Sequence, residues 1–362
     1  MIEIDASMGE GGGQILRTAL SLSLLTGVPV RLTRVRARRP RPGLRAQHLQ
    51  AIKAAAAVGC AQVRGAELGS MEVSFAPDAL NPGDYRFDIG TAGATSLVLQ
   101  ALFVPIAFAG APSQLSLGGG THVPWSPSFH YLEWQWLPWL RVAGFAADLA
   151  LLRPGFYPRG GGLICARVEP AGTLAPLRLA ERGRLLRVRG LAAVAALPLG
   201  IAERELGRIR ERLAALRVPM DVHSCDLESV HRGNFVILAA EFESGRLCYA
   251  SLGAIGKRAE AVADEAVQAL LDGLSSGGAI DEYLADQLLL PLCFAPGASE
   301  FVSCRVTRHL LTNADVLRRF LPVSIQTDGT LGGPGTVHIS GGARAAVVHR
   351  QGAAWPASRL AG

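Results

Sequence analysis

The sequence predicts an α/β (α+β) fold: a large domain of three repeated units, each a sheet with two helices, packed around a common core and interrupted by a smaller inserted α/β domain. Three observations predict it. The order helix, strand, helix, strand, strand recurs three times, glycines close nearly all of the repeat helices at positions suited to caps, and residues 177–276 break the rhythm. The boundaries that follow are 1–176 with 277–341 for the large domain, 177–276 for the insert and 342–362 for a C-terminal tail.

In order, the first copy follows a strand-like opening tetrad. It runs helix "GQILRTALSLSLLTG", strand "VPVRLTRVRA", helix "LRAQHLQAIKAAAAVG", strand "AQVRGAEL" and strand "MEVSFAP". The second runs helix "ATSLVLQALFVPIAFAG", strand "SQLSLGGGT", helix "HYLEWQWLPWLRVAG", strand "FAADLALLRPGF" and strand "GLICARVEP". The insert brings strand "RLLRVRGLAAVA", a charged amphipathic helix "IAERELGRIRERLAAL", strands "MDVHSC", "NFVILAAEF" and "LCYASLG", and helix "RAEAVADEAVQALLDGL". The third copy closes the chain with helix "DEYLADQLLLPLCFAPG", strand "EFVSCRVTRH", helix "NADVLRRFLP", and strands "VSIQT" and "GTVHIS".

Composition bounds the function. Of 362 residues 49% are hydrophobic and 18% charged, which describes an ordered globular chain with length for two or three compact units. The net charge is +6, and all 36 basic residues except Lys53 and Lys257 are arginines. Seven of them fall between Arg31 and Arg45, a cluster suited to an anionic partner such as a nucleotide or nucleic acid. Six scattered cysteines show no C-x-x-C and no metal-ligand spacing, which fits a reducing cytosol and argues against structural zinc. The longest apolar stretch is broken by Gln100 and Pro105 and reads as a buried helix rather than a membrane span. A soluble, cytoplasmic protein is expected, with a homodimer as one open assembly state.

The chemistry-bearing residues are dispersed. Gly11, Gly12 and Gly13 precede an apolar helix, and a helix N-terminus with glycines lets an anion approach unpaired N–H groups. Arg17 in the first turn is electrostatically unfavourable there unless an anion is present too, and Glu10 suits a bridging Mg²⁺ or Mn²⁺. A plain glycine turn with a solvated glutamate explains the loop equally well. If the arginine run forms a strand, Arg34, Arg36 and Arg38 share one face and Arg39 points the other way. Such a face suits a triphosphate or an RNA backbone.

Gln100 interrupts an apolar helix and needs a hydrogen-bond partner. In "DEYLADQLLL" helical spacing places Tyr283, Asp286 and Gln287 on one face and Leu284 and Leu288 on another, which suits either a base-and-ribose pocket or an ordinary amphipathic helix. His309 is expected to end a strand, with Thr312 and Asn313 capping the next helix. A neutral imidazole is a competent nucleophile toward phosphorus. His48, His122, His130, His223, His231, His338 and His349 show no pairing by spacing and receive no chemical role. The tryptophans of "WQWLPWL" are expected to pack rather than to stack on RNA.

Taken together, "GEGGGQILRTALSLS", "RPGLRAQHL", "GTAGATSLVLQ", "GGGTHVPWSP", "GFYPRGGG", "EYLADQ" and "HLLTN" resemble the RNA 3′-terminal phosphate cyclases from residue 2 to about residue 340, in the family's order. The resemblance implies three repeated βα units with an inserted domain. It also implies a reaction in which a histidine takes AMP from ATP, with release of pyrophosphate. AMP then passes to an RNA 3′-phosphate, giving RNA(3′)pp(5′)A, and the 2′-hydroxyl displaces it to leave a 2′,3′-cyclic phosphate.

By resemblance His309 is the nucleophile and Glu10 the carboxylate for Mg²⁺ or Mn²⁺. Arg17, Arg36, Arg39 and Gln47 match triphosphate contacts. Gln100, Pro127, Tyr283, Leu284, Ala285, Asp286 and Gln287 match the adenosine pocket. Two positions depart from the family pattern: Arg308 stands before the nucleophile where smaller residues are expected, and His130 replaces an acid. The competing expectations are a non-catalytic relative that assists ribosome assembly by binding RNA, and an enolpyruvyl-type transferase on a related repeated fold.

Overall fold

The structure is a computed structural model and describes residues 1–343. The tail from residue 344 onward, including His349, lies outside the described residues.

The first repeat comprises β1 (Ile2–Asp5), α1 (Gly13–Thr26), β2 (Val30–Thr33), α2 (Ala46–Gly59), β3 (Gln62–Arg64) and β4 (Val73–Ala76). The second comprises β5 (Asp84–Asp88), α3 (Thr95–Ala107), β6 (Ser113–Gly119), a helix made of α4 (Phe129–Tyr131), a π-turn (Leu132–Trp136) and α5 (Leu137–Val142), then β7 (Ala147–Arg153) and β8 (Gly162–Val168). The third starts with β9 (Arg178–Leu179) and is interrupted by β10 (Leu185–Ala195), α6 (Gly200–Leu213), β11 (Met220–Leu227), β12 (Gly233–Phe242), β13 (Arg246–Leu252) and α7 (Ala259–Ser276). It resumes with α8 (Glu282–Gln287), α9 (Leu289–Cys293), β14 (Ala298–Ser303), α10 (Arg308–Phe320), β15 (Ser324–Gly329) and β16 (Gly335–Ser340).

All three repeats build one sheet plan, β1-β2-β4-β3, β5-β6-β8-β7 and β9-β14-β16-β15. In each, the first pair is parallel and the others antiparallel. The repeated unit therefore begins with a strand that the sequence pattern misses in the second and third copies. β5, "DYRFD", buries only Phe87, so it lacks an apolar alternation, and β9 is two residues long. Arg178–Leu179 pairs with Glu300–Phe301 of the third sheet, although it falls inside the 177–276 segment.

The helices fill the centre. α1 packs against α2, α3 and α10, burying Ile15, Leu16, Leu20 and Leu22 completely or nearly so. Truncating one such leucine to alanine costs about 2–5 kcal/mol. α3 buries almost every residue, as the continuous apolar run requires. The insert's sheet, β11-β10-β12-β13, is covered on both faces. Val236, Leu238 and Ala240 of β12 meet α6 and α7, while Phe235, Ile237 and Ala239 join the large domain's core. That two-sided burial is why "NFVILAAEF" reads as an unbroken apolar run instead of alternating.

Three local expectations are corrected. The arginine run is not a strand: β2 stops at Thr33, Arg34 and Arg36 adopt left-handed φ of 51° and 54°, and Ala37 and Arg39 N–H groups close turns onto the Arg34 and Arg36 carbonyls. The arginines are consequently aimed one by one. The helix read as continuous through "EYLADQLLLPLC" breaks at Leu288, because Pro291 has no N–H to offer the Gln287 carbonyl. His309 does not end a strand: α10 begins at Arg308, capped by Thr307, whose hydroxyl accepts the Leu310 N–H at 3.1 Å. Thr312 and Asn313 are thus inside the helix, and His309 lies in its first turn.

Candidate active site

The second helix of every repeat carries a histidine in its first turn: His48 in α2, His130 in α4 and His309 in α10. Their surroundings separate them. His48 is buried, and its Nδ1 accepts the Arg45 N–H at 3.1 Å. Burial first, then Arg17, Arg36 and Arg45, push it down to about 3. His130 is also buried, with Nδ1 2.8 Å from Nε2 of His122, so the expectation that these two are unpaired is corrected. Only the ring of His309 is nearly half exposed, at 46%.

His309 meets the glycine loop of the first repeat. Its Nδ1 lies 2.8 Å from Oε1 of Gln14, and its Nε2 lies 2.8 Å from Oε2 of Glu10. Gln14 donates its amide N–H to Asp286 Oδ2, which fixes its oxygen toward the histidine and makes Nδ1 the donor. Asn313, four residues after His309, donates to the Asp286 carbonyl at 2.7 Å and accepts from Thr18 at 2.7 Å. The nucleophile candidate is thereby tied to α1 and α8. Burial lowers its pKa, Arg17 and Arg39 add to the lowering, and Glu10 opposes them. Arg308 is not among these causes; it is exposed to solvent.

The glycines are there for approach. A Cβ on Gly13 would collide with His48 Nε2 and crowd Arg17, and one on Gly12 would come within 3.1 Å of Arg39 Nη2. Gly9, at φ 55°, lies against Thr312, where a side chain would overlap the hydroxyl. The loop is a close-packed cradle and not merely a flexible turn.

The other expected residues fall into two groups. Arg17 is partly buried beside Asp286; burial pulls the guanidinium down to about 10 and raises the Asp286 carboxyl to about 7, with each opposing the other's shift. Arg39 Nη2 is 3.8 Å from Glu10. Gln100 donates to Gln287 Oε1 at 2.5 Å, so its partner inside the apolar helix bundle is this second amide. Gln14, Arg17, Gln100, Asp286 and Gln287 line one cavity of ≈ 80 Å³, room for a few waters.

Arg36 lies outside that cavity, holding its own loop through the Arg41 and Gly43 carbonyls, both at 2.9 Å. Gln47 sits beside Gly93, 3.0 Å from where a Cβ would be. Pro127 precedes α4 and is not in the cavity wall. Leu284 and Ala285 turn into the core, while Tyr283 is 54% exposed and lines a second cavity with Tyr249, Glu282 and Arg305.

α8 is positioned by Asp281. This fully buried carboxylate accepts from Tyr131 Oη and Gln135 Nε2 at 2.6 Å and from the backbone N–H groups of Cys248, Tyr283 and Leu284. It joins the second repeat, the insert and the third repeat at one point.

Sequence reasoning missed Gln14, Thr18, His48, Asp281 and Asn313. A signal was present for two of them. Gln14 directly follows the glycines, and Asn313 is one helical turn from His309.

Among the described residues no group of three or more His, Cys, Asp or Glu side chains gathers as a metal site. Glu10 with substrate oxygens and waters fits Mg²⁺ or Mn²⁺, which are commonly held by one or two carboxylates plus phosphates. Such an ion would compete with His309 and Arg39 for this carboxylate.

A family model described as "RNA 3'-terminal phosphate cyclase" matches residues 8–327. The RNA 3′-terminal phosphate cyclase of Pseudomonas fluorescens is 47% identical over 90% of this chain and 94% of its own length. Its namesake in Methanopyrus kandleri is 42% identical over 94% of this chain and 98% of its own length. Among solved structures, EPSP synthase from Acinetobacter baumannii is 14% identical over 94% of this chain and 65% of that one, with a TM-score of 0.32, too weak a likeness to bear on fold or function. The glycine cradle, the histidine it meets and the whole span that joins them lie within the matched region, and the chain belongs to the RNA 3′-terminal phosphate cyclase family.

Proposed function

We propose that this protein converts an RNA 3′-terminal phosphate into a 2′,3′-cyclic phosphodiester at the expense of ATP, carrying AMP on His309. The observation that carries the proposal is the bond between His309 Nδ1 and Gln14 Oε1, which joins the third repeat to the glycine cradle of the first. The 2.8 Å contact with Glu10 requires a proton on Nε2; with Nδ1 held as a donor, loss of that proton frees the lone pair on Nε2, on the side of Arg39 and the cradle.

Nε2 attacks the α-phosphorus of ATP and pyrophosphate leaves. Arg17, Arg39 and the N–H groups at the start of α1 receive the phosphate charge. Glu10 is the residue that would hold Mg²⁺ or Mn²⁺, whose contribution is to neutralise phosphate oxygens. An oxygen of the RNA 3′-phosphate then attacks the phosphorus of histidinyl-AMP, and the N–P bond breaks. The adjacent 2′-hydroxyl, giving its proton to solvent, closes on the activated 3′-phosphorus as the P–O bond to AMP breaks and AMP departs. Activation is needed because a terminal phosphate has no good leaving group until an anhydride is built on it.

Six unbridged cysteines support a reducing, cytoplasmic setting. Among the described residues no helix is long and apolar enough to cross a membrane. The placement of His309 on the cradle favours catalysis over RNA binding alone.

The test is incubation with α-³²P-ATP and Mg²⁺ or Mn²⁺. Acid-labile label on the protein is expected, and none on His309→Ala. Equal labelling of that variant refutes the assignment.

A further inference from the structure

We infer that Arg38 and Arg308 form a clamp at the mouth of the site for the terminal phosphate of the RNA; the inference rests on the proposed cyclase reaction and names the residues that receive its second substrate. The argument begins with how the arginines are spent. Arg31 pairs with Glu3 and Glu72, Arg34 with Asp5, and Arg39 with Glu10, while Arg36 is used on carbonyls of its own loop. Arg38 is exposed and has no hydrogen-bond or ion-pair partner among the described residues. Its Cβ lies 3.7 Å from where a Cβ on Gly11 would be, one residue from Glu10.

Arg308 belongs to the third repeat. It immediately precedes His309, is exposed, and likewise has no partner among the described residues. The acids at hand are engaged: Glu10 by His309 and Arg39, Asp5 by Arg34, and Asp315 by Arg318. As the first residue of α10, Arg308 also stands where the helix dipole disfavours a cation. Two unpartnered arginines thus stand beside the site's own residues, Arg38 with its Cβ near Gly11 and Arg308 next to His309 at the start of α10, one on each of the repeats that build the site.

Their chemistry fits a phosphate monoester. Arg17 and Arg39 lie against the cradle that receives ATP, so the RNA phosphate, arriving after pyrophosphate has left, needs cations on the solvent side. A guanidinium holds phosphate oxygens in a two-point contact. Two of them can hold a dianion while one oxygen stays free to attack the phosphorus of histidinyl-AMP. That oxygen forms the new P–O bond as the N–P bond to His309 breaks, and the electron pair returns to Nε2.

The experiment uses the full-length protein without ATP and a short fluorescent RNA bearing either a 3′-phosphate or a 3′-hydroxyl. Binding of each is followed against salt for wild type, Arg38→Gln, Arg308→Gln, Arg308→Lys and the double glutamine variant. Wild type should prefer the 3′-phosphate. Each glutamine variant should lose about tenfold in affinity for it, and the double variant should bind both ends alike. The slope of log affinity against log salt should fall by about 0.7 for each arginine removed. Arg308→Lys should recover part of the affinity, because the charge remains.

Self-adenylation with ATP alone, measured in parallel, should stay within about fivefold of wild type, the range of an exposed charge. An unchanged preference and salt slope in the double variant overturns the clamp. So does a fall in self-adenylation with the preference intact, which would assign these arginines to ATP. If wild type itself takes no label from ATP, the adenylation reading fails, whereas the end preference still reports on the clamp.

Discussion

Replacing Gln14 by leucine tests how His309, the proposed nucleophile, is held. The change nearly preserves volume at a position only 8% exposed, and removes both the acceptor for His309 Nδ1 at 2.8 Å and the donor to Asp286. A net hydrogen bond is worth about 0.5–1.5 kcal/mol, and a buried group left without a partner costs about 1–3 kcal/mol. Taking about 2 kcal/mol as the loss of ring orientation, self-adenylation should slow by about 30-fold. The assay is the initial rate of acid-labile label from α-³²P-ATP at saturating ATP, with the thermal midpoint measured alongside. A purely structural role would lower the midpoint and leave the rate per folded molecule unchanged. Gln14→Glu keeps an acceptor and should recover much of the rate. It should also move the pH rise to higher values, because a carboxylate beside the ring favours its charged form. A Gln14→Leu rate within about threefold of wild type, less than 1 kcal/mol, refutes this account of the nucleophile's orientation.

Other consequences follow from the same geometry. Burial, Arg17 and Arg39 lower the His309 pKa, so self-adenylation should rise with pH through a value below 6.5 and be level at neutral pH. Arg39→Gln should shift that rise to higher pH and Glu10→Gln to lower pH; a shift of either in the opposite sense, read from the pH–rate profile, contradicts the assignment. Asp281→Ala removes the α8 cap, about 1 kcal/mol, and strands Tyr131 Oη and the Cys248 N–H at about 1 kcal/mol each, while Gln135 Nε2 keeps the Arg246 carbonyl, so urea unfolding should show a loss of about 3 kcal/mol. A loss below about 1 kcal/mol would mean these donors find other partners. His122 and His130 are held neutral by burial, His130 down to about 4. The unfolded chain takes up their protons below about pH 6.5 and the folded one does not, so stability is full above that pH and falls toward pH 4, by up to about 1.4 kcal/mol per pH unit per histidine. His130→Gln should flatten the difference between urea midpoints at pH 7.5 and 5.5, and an equally steep loss would place the acid sensitivity elsewhere.

Much of the fold is legible because element type is a local property. Apolar spacing marks α1, α2 and α7, closing glycines mark α1 and α7, a continuous apolar run marks α3, and the recurrence of the pattern predicts three sheets around one core. The leading strands β5 and β9 escape because one is polar at an edge and the other too short to carry a period. The arginine loop escapes because left-handed φ at Arg34 and Arg36 gives no sign in residue type, arginine being an uncommon choice there. The start of α10 is misplaced because Thr307 and Thr312 are equally plausible caps until the helix is built.

By itself the sequence determined the repeat, the glycine loop beside Glu10 and Arg17, the grouping of Asp286 with Gln287 on α8 (Tyr283 lines a separate cavity), and, through motifs in family order, His309 as the residue to watch. Only the tertiary structure decided which of three equivalently placed histidines meets that cradle with its ring open to solvent. It also decided that Gln14 and His309, 295 residues apart, share a hydrogen bond, that His122 and His130 pair, and which arginines are left with charge to spare. The physical reason is that periodicity encodes the conformation of a segment and the face it buries, whereas a site made of helix starts from different repeats exists only once their common core has packed.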